Sequence, residues 1–171
     1  EPGAMELWSP TPATSWNQEA YPVGNGKLAA MVFGGVATDE IQFNEDTIWT
    51  GQPHFYENPG ATPANLASIR NTVFNRQAIT AAQRNLFMSV PVRQAMYEPA
   101  GSLLLTFAHS ASNYRRTLDL NTATAGVRYD HNGVTYSRDV FASAPSNKVI
   151  VIRLTASQPG RISFDCTFTT P

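Results

Sequence analysis

Apolar and polar positions alternate singly through much of this chain, the signature of strands with one face turned to a core. Leu28, Ala30 and Val32 share one phase of a strand that is predicted to end at Gly34-Gly35. Ile41 and Phe43 alternate with Glu40, Gln42 and Asn44 in a second, with Gly34-Gly35 and Asp39 marking the connection. From residue 102 the period of two returns, in Leu103, Leu105 and Phe107, then in Leu118-Asp119-Leu120. Val127 and Tyr129 lead into Asn132-Gly133, and Val134, Tyr136 and Arg138 follow. Asn-Gly between alternating runs predicts a tight hairpin, because both turn residues need positive φ. The β-branched run from Lys148 to Thr155 predicts a central strand buried on both faces. Ile162, Phe164, Cys166 and Phe168 predict a last strand, with Cys166 on its apolar side as a buried, inert thiol.

Residues 62–88 break the pattern. Thr62 is an N-cap by type and Pro63 fits the first helical position. Leu66, Ile69 and Val73 follow at helical spacing. Asn75 is placed to cap a second helix carrying Ile79, Ala82, Leu86 and Phe87 on one face, with Pro91 beyond its end. Seven to nine strands around one helical hairpin predict a mainly β domain, an antiparallel β-sandwich of the super-sandwich type with the insertion near residues 62–88.

The composition narrows the function classes. The chain has 171 residues and a formal net charge of -1, with 42% hydrophobic and 15% charged residues. That is a globular composition, and the absence of a basic excess argues against a nucleic-acid partner. The one cysteine, Cys166, excludes an internal disulfide framework and a Cys-rich metal site. No apolar run approaches the length of a membrane span. Residues 1–5 lack a basic region followed by an apolar stretch, so no signal peptide is read there. Residues 1–6 read as a trimmed end and 7–171 as the domain.

Few motifs carry chemistry. Val23-Gly24-Asn25-Gly26-Lys27-Leu28 has a passing likeness to a phosphate loop but lacks the upstream Gly and the Ser or Thr after Lys27, and reads as a turn entering a strand. His54, His109 and His131 are far apart in sequence, with no acidic or Cys neighbours at ligand spacing, so no metal site is read. There is no Gly-x-Ser-x-Gly elbow. Tyr129 and Tyr136 are assigned to cross-strand packing, and Arg115-Arg116 to a solvated strand start. The segment Asn44-Glu45-Asp46-Thr47-Ile48-Trp49-Thr50-Gly51 joins an amide, two carboxylates and an indole at a strand exit. Amides and carboxylates hydrogen-bond sugar hydroxyls, and an indole face meets the C–H face of a pyranose. The alternative is local: Asn44 and Asp46 bonding to nearby backbone, with Trp49 in the core. Adjacent carboxylates at 45 and 46 are not an acid/base pair, since neighbours on a strand point to opposite faces.

Several blocks carry a family likeness. Trp16-Asn17-Gln18-Glu19-Ala20-Tyr21-Pro22-Val23-Gly24-Asn25-Gly26-Lys27-Leu28, Met31-Val32-Phe33-Gly34-Gly35 and Ile41 through Gly51 resemble the N-terminal β-domain of glycoside hydrolase family 95. Tyr97-Glu98-Pro99-Ala100-Gly101-Ser102-Leu103, Tyr114 to Leu120 and Gly133 to Ser143 extend the likeness. Ala29 and Ser102 depart from it, where the family commonly has Gly and Asp. That family comprises α-L-fucosidases and some α-L-galactosidases. The resemblance implies a large β-sandwich preceding a linker and an (α/α)6 barrel that holds the catalytic residues and inverts the anomeric centre.

No string of amphipathic helices follows Phe168, so the chain is expected to be the N-terminal domain, or part of it, with no catalytic residue and no cofactor. The partners implied are the downstream barrel and an oligosaccharide, and the family points to the periplasm or the exterior. Asn44, Glu45, Asp46, Trp49 and Gly51 are expected beside the substrate or the barrel. A freestanding carbohydrate-binding sandwich and a purely bracing domain are the other readings.

Overall fold

The computed structural model describes residues 5–52, 55, 57–86, 88, 90, 95–144 and 149–170. It divides into two compact units, one of residues 1–48 and 99–171 and the other of residues 49–98.

The larger unit is a sandwich of two five-stranded antiparallel sheets. Its strands among the described residues are β1 (Glu6–Ser9), β2 (Tyr21–Gly24), β3 (Leu28–Val32), β4 (Thr38–Glu45), β5 (Gly101–Thr106), β6 (Ser112–Asp119), β7 (Thr124–His131), β8 (Val134–Ala142), β9 (Ile150–Ala156) and β10 (Asp165–Thr169). One sheet runs β1-β6-β7-β8-β9 and the other β10-β5-β4-β3-β2. The alternation does what it predicts. Ala125, Val127 and Tyr129 of β7, and Val134, Tyr136 and Val140 of β8, are buried on one face. Val23, Ala30, Val32, Ile41 and Leu105 of the second sheet join Leu118, Ala125 and Val140 of the first in a shared core. The β7–β8 hairpin turns at Asn132 (φ 49°) and Gly133 (φ 73°), both left-handed as the two-residue turn requires. Tyr129 and Tyr136 sit opposite each other across it, their rings 5.5 Å apart and nearly parallel. The Gly-Asn-Gly segment is a β2–β3 turn, with Asn25 Oδ1 accepting from the backbone N–H groups of Lys27 (3.0 Å) and Leu28 (2.8 Å).

Four expectations are corrected. The β-branched run forms β9 at the end of its sheet, not at the centre, and none of its residues is fully buried. Valine and isoleucine favour any strand packed on one face, so their density alone does not separate edge from centre. Cys166 is exposed, because every residue of the edge strand β10 is. Ile162 and Phe164 precede that strand. Arg116 is buried rather than solvated, at 4% exposure. Its Nε donates to Thr11 O (2.7 Å), its Nη1 to Glu19 O (2.6 Å), and its guanidinium lies 4.3 Å from the Tyr21 ring centre. Arg115 is exposed and pairs with Glu6 at 2.6 Å.

The smaller unit carries α1 (Pro63–Phe74) and a short α2 (Ala81–Asn85). Thr62 caps α1, its hydroxyl accepting from Asn65 N at 3.2 Å. The fourth correction falls here. Asn75 closes α1 instead of opening α2, and Thr80 opens α2 through a reciprocal capping box with Gln83. Gln83 Nε2 then donates to Thr72 Oγ1 at 2.9 Å, tying the two helices. Neither helix buries a residue fully. Phe87, Pro91 and Lys148 lie outside the described residues. Among the described residues no helix is long and apolar enough to cross a membrane.

Candidate functional site

The segment from Asn44 to Gly51 leaves β4 and crosses from the larger unit into the smaller one. On the sandwich side, Asn44 and Glu45 pair with Ala29 and Leu28 of β3. Asn44 Oδ1 accepts from the backbone N–H of Glu45 at 2.9 Å. The Glu45 carboxylate reaches forward, accepting from Thr47 N at 2.9 Å and from the Thr47 hydroxyl. Asp46 forms a 2.6 Å ion pair with Lys27 on the facing turn. The hydrogen bond from Lys27 holds the Asp46 carboxyl below its ordinary range, and the same bond raises the Lys27 ammonium. Both carboxylates thus close the strand exit locally.

On the other side, Trp49 is 50% exposed and is not a core residue. It bridges to Tyr97, with ring centres 5.1 Å apart in an edge-to-face arrangement. Thr50 and Met96 lock the same crossing, Thr50 N donating to Met96 O and Met96 N to Thr50 Oγ1, each at 2.8 Å. Gly51 turns the chain at φ 78°, where a side chain is strained. The structure therefore brings Asn44, Glu45 and Asp46 together at the end of β4, and places Trp49 and Gly51 in the other unit.

A buried ion pair was not read from the sequence. Asp39 of β4 and Arg138 of β8 face each other between the sheets, 0% and 2% exposed, with Nε and Oδ2 3.2 Å apart. Asp39 Oδ1 accepts from Gly34 N (2.8 Å) and Gly35 N (3.0 Å), and Arg138 Nη2 donates to Gly35 O. Burial pushes the Asp39 carboxyl upward, opposed by Arg138 and the two glycine N–H groups. The Tyr114 hydroxyl donates to Gly34 O at 2.6 Å, and burial raises it. The available signal was phase: Arg138 falls in step with Tyr136 and Val140, and Arg116 in step with Leu118. Two histidines far apart in sequence, His109 and His131, stack with ring centres 4.6 Å apart. His54 lies outside the described residues, and no cluster of three metal-ligating side chains occurs among those described.

A family model described as "Glycosyl hydrolase family 65, N-terminal domain" matches residues 7–171. The chain belongs to this family. As a member of it, the chain is 40% identical to "Alpha-L-fucosidase 2" of Arabidopsis thaliana, over 92% of its own length and 19% of that protein's. It is 32% identical to "Probable alpha-fucosidase A" of Aspergillus niger, over 90% of itself and 20% of that protein. A protein of the same name from Aspergillus oryzae is 28% identical over 86% of the chain. The chain thus spans about one fifth of the length of these relatives. The family number is 65, where the sequence resemblance named 95. The common ground is an N-terminal sandwich associated with glycoside hydrolases and homologous to fucosidase-like proteins.

Proposed function

We propose that this chain is the non-catalytic N-terminal sandwich of an exo-acting α-L-fucosidase-like hydrolase, of the kind grouped in family 95. A downstream (α/α)6 barrel would release terminal fucose from oligosaccharides by single-displacement inversion. One acid would protonate the leaving oxygen while a base on the opposite face of the sugar activates water. The observation that carries this reading is likeness along nearly the whole chain to proteins named as fucosidases. The strand exit supports a structural rather than a chemical part. Glu45 is turned to Thr47 and Asp46 to Lys27, and adjacent carboxylates do not flank a scissile bond. In this reading Asn44, Glu45, Asp46, Trp49 and Gly51 border the barrel or its substrate.

Turnover of p-nitrophenyl α-L-fucopyranoside tests it. The 171-residue chain alone is expected to give none, and the complete gene product is expected to be active. Hydrolysis by the chain alone would sink the assignment.

The half-exposed Trp49 favours a second reading, a carbohydrate-binding module. It requires that the chain bind L-fucose and that Trp49→Ala abolish that binding.

A further inference from the structure

We propose that the sandwich carries a binding cleft for one neutral pyranose unit, set between the β7–β8 turn and the segment entering β10. The cleft has a volume of about 420 Å³, and its lining includes His109, His131, Tyr136, Arg161, Phe164 and Asp165. That volume lies within the range typical of small-ligand sites, about 300–1,000 Å³. The lining also includes Thr106, which pairs with Thr38 at the start of β4. Asn44 and Glu45 are at the other end of that strand, about 20 Å away at the rise of an extended chain. The cleft is therefore separate from the strand exit.

Its first element is a run of rings. Phe164 packs on Phe107 (centres 5.6 Å apart), Phe107 stacks on His109 (5.5 Å), and His109 stacks on His131 (4.6 Å). Tyr136 closes on His109 at 4.3 Å. Phe164 remains 42% exposed. Exposed ring surface beside polar groups suits the C–H face of a pyranose, whose hydroxyls radiate from the ring edge.

Its second element is a set of oriented donors and acceptors. His109 Nδ1 lies 2.9 Å from the Tyr129 hydroxyl. Burial, with His131 and Arg138 adding to it, lowers the His109 pKa. His131 Nδ1 lies 3.1 Å from Ser110 N and 3.0 Å from Ser110 O, and Asn132 Nδ2 lies 3.0 Å from His131 Nε2. Arg161 and Asp165, both exposed, also line the cleft. Among the described residues neither side chain has a hydrogen-bond or ion-pair partner. A donor fork and an acceptor pair that do not neutralise each other suit adjacent sugar hydroxyls. Their opposite charges favour an uncharged ligand over an anion or a cation.

The cleft does not depend on the accessory-domain reading, and the experiment separates the two. The ¹⁵N-labelled 171-residue chain is titrated with methyl α-L-fucopyranoside, methyl β-D-galactopyranoside and, as an open-chain control, sorbitol. Saturable shifts of the His109, His131 and Asn132 amides are expected with at least one pyranoside and not with sorbitol. Phe164→Ala and Arg161→Ala, each with an unchanged circular dichroism spectrum, are expected to weaken binding about tenfold or more. The proposal is overturned if no pyranoside saturates, if the shifts lie away from the cleft, or if both variants bind like the parent. None of these results touches the fucoside assay above.

Discussion

Asp39 and Arg138 pair between the two sheets in the core, and each also bonds to the Gly34-Gly35 turn. Removing one partner leaves the other charged and buried, which costs about 3–5 kcal/mol. Arg138→Met should lose stability of that order at neutral pH, read by urea unfolding. The deficit should shrink in acid. With its pKa raised by burial, Asp39 holds in the folded state a proton that the unfolded chain releases near its ordinary 3.8. Stability from such a group falls as pH rises through that range. Below it, a protonated Asp39 is no longer a stranded charge. A deficit independent of pH would contradict this account.

Two glycines should respond differently to the same methyl group. A Cβ on Gly35 would lie 1.9 Å from Thr38 O, a backbone atom with little room to move. Gly35→Ala should cost about 3 kcal/mol and disturb the Asp39 and Arg138 bonds. Gly133, at φ 73°, has no atom within 4 Å of the added position. Gly133→Ala should cost only the left-handed backbone penalty, about 1–2 kcal/mol. Equal losses in thermal unfolding would sink the steric argument.

Asp130 gives the acid limb of the stability curve a specific source. Hydrogen bonds from Asn113 (2.8 Å) and Thr135 (2.7 Å) hold its carboxyl below 3.8. A depressed carboxyl stabilises the fold above its unfolded value, and that contribution disappears as pH falls through the folded one. Asp119 and Glu19 are lowered in the same direction by nearby N–H and hydroxyl groups. Asp130→Asn should flatten part of the melting-temperature drop below about pH 4. A variant whose acid limb matches the parent's would count against Asp130.

The helix caps should act locally. Thr62→Ala removes the acceptor for Asn65 N and should cost α1 about 1 kcal/mol. Hydrogen exchange over Pro63–Phe74 is the measurement, and faster exchange there is the expected result.

What the sequence made legible was what depends on neighbours along the chain. Single alternation located most strands, Asn132-Gly133 located a hairpin, and Thr62-Pro63 located a helix start. What it hid depends on which surfaces meet. Arg116, Arg138 and Asp39 are charged residues in inward phase, and their burial rests on two backbone carbonyls or a facing charge coming into place. Cys166 and β9 were misread for a related reason: a face is buried only if something covers it. The polar cluster at 44–51 was visible as residue types. The chain's crossing from one compact unit to another between Ile48 and Trp49 was not.

The two margins of the β10-β5-β4-β3-β2 sheet are unlike. β2 is four residues long and holds Pro22, which has no N–H to offer an arriving strand. β10 has no proline and no lysine, its residues are all exposed, and Phe168 and Cys166 lie within it. β10 is therefore the margin of this sheet open to a second strand, and the exposed Cys166 thiol lies on it. Handling the purified chain at high concentration calls for a reductant, and a single lysine placed in β10 would be the natural guard against clumping.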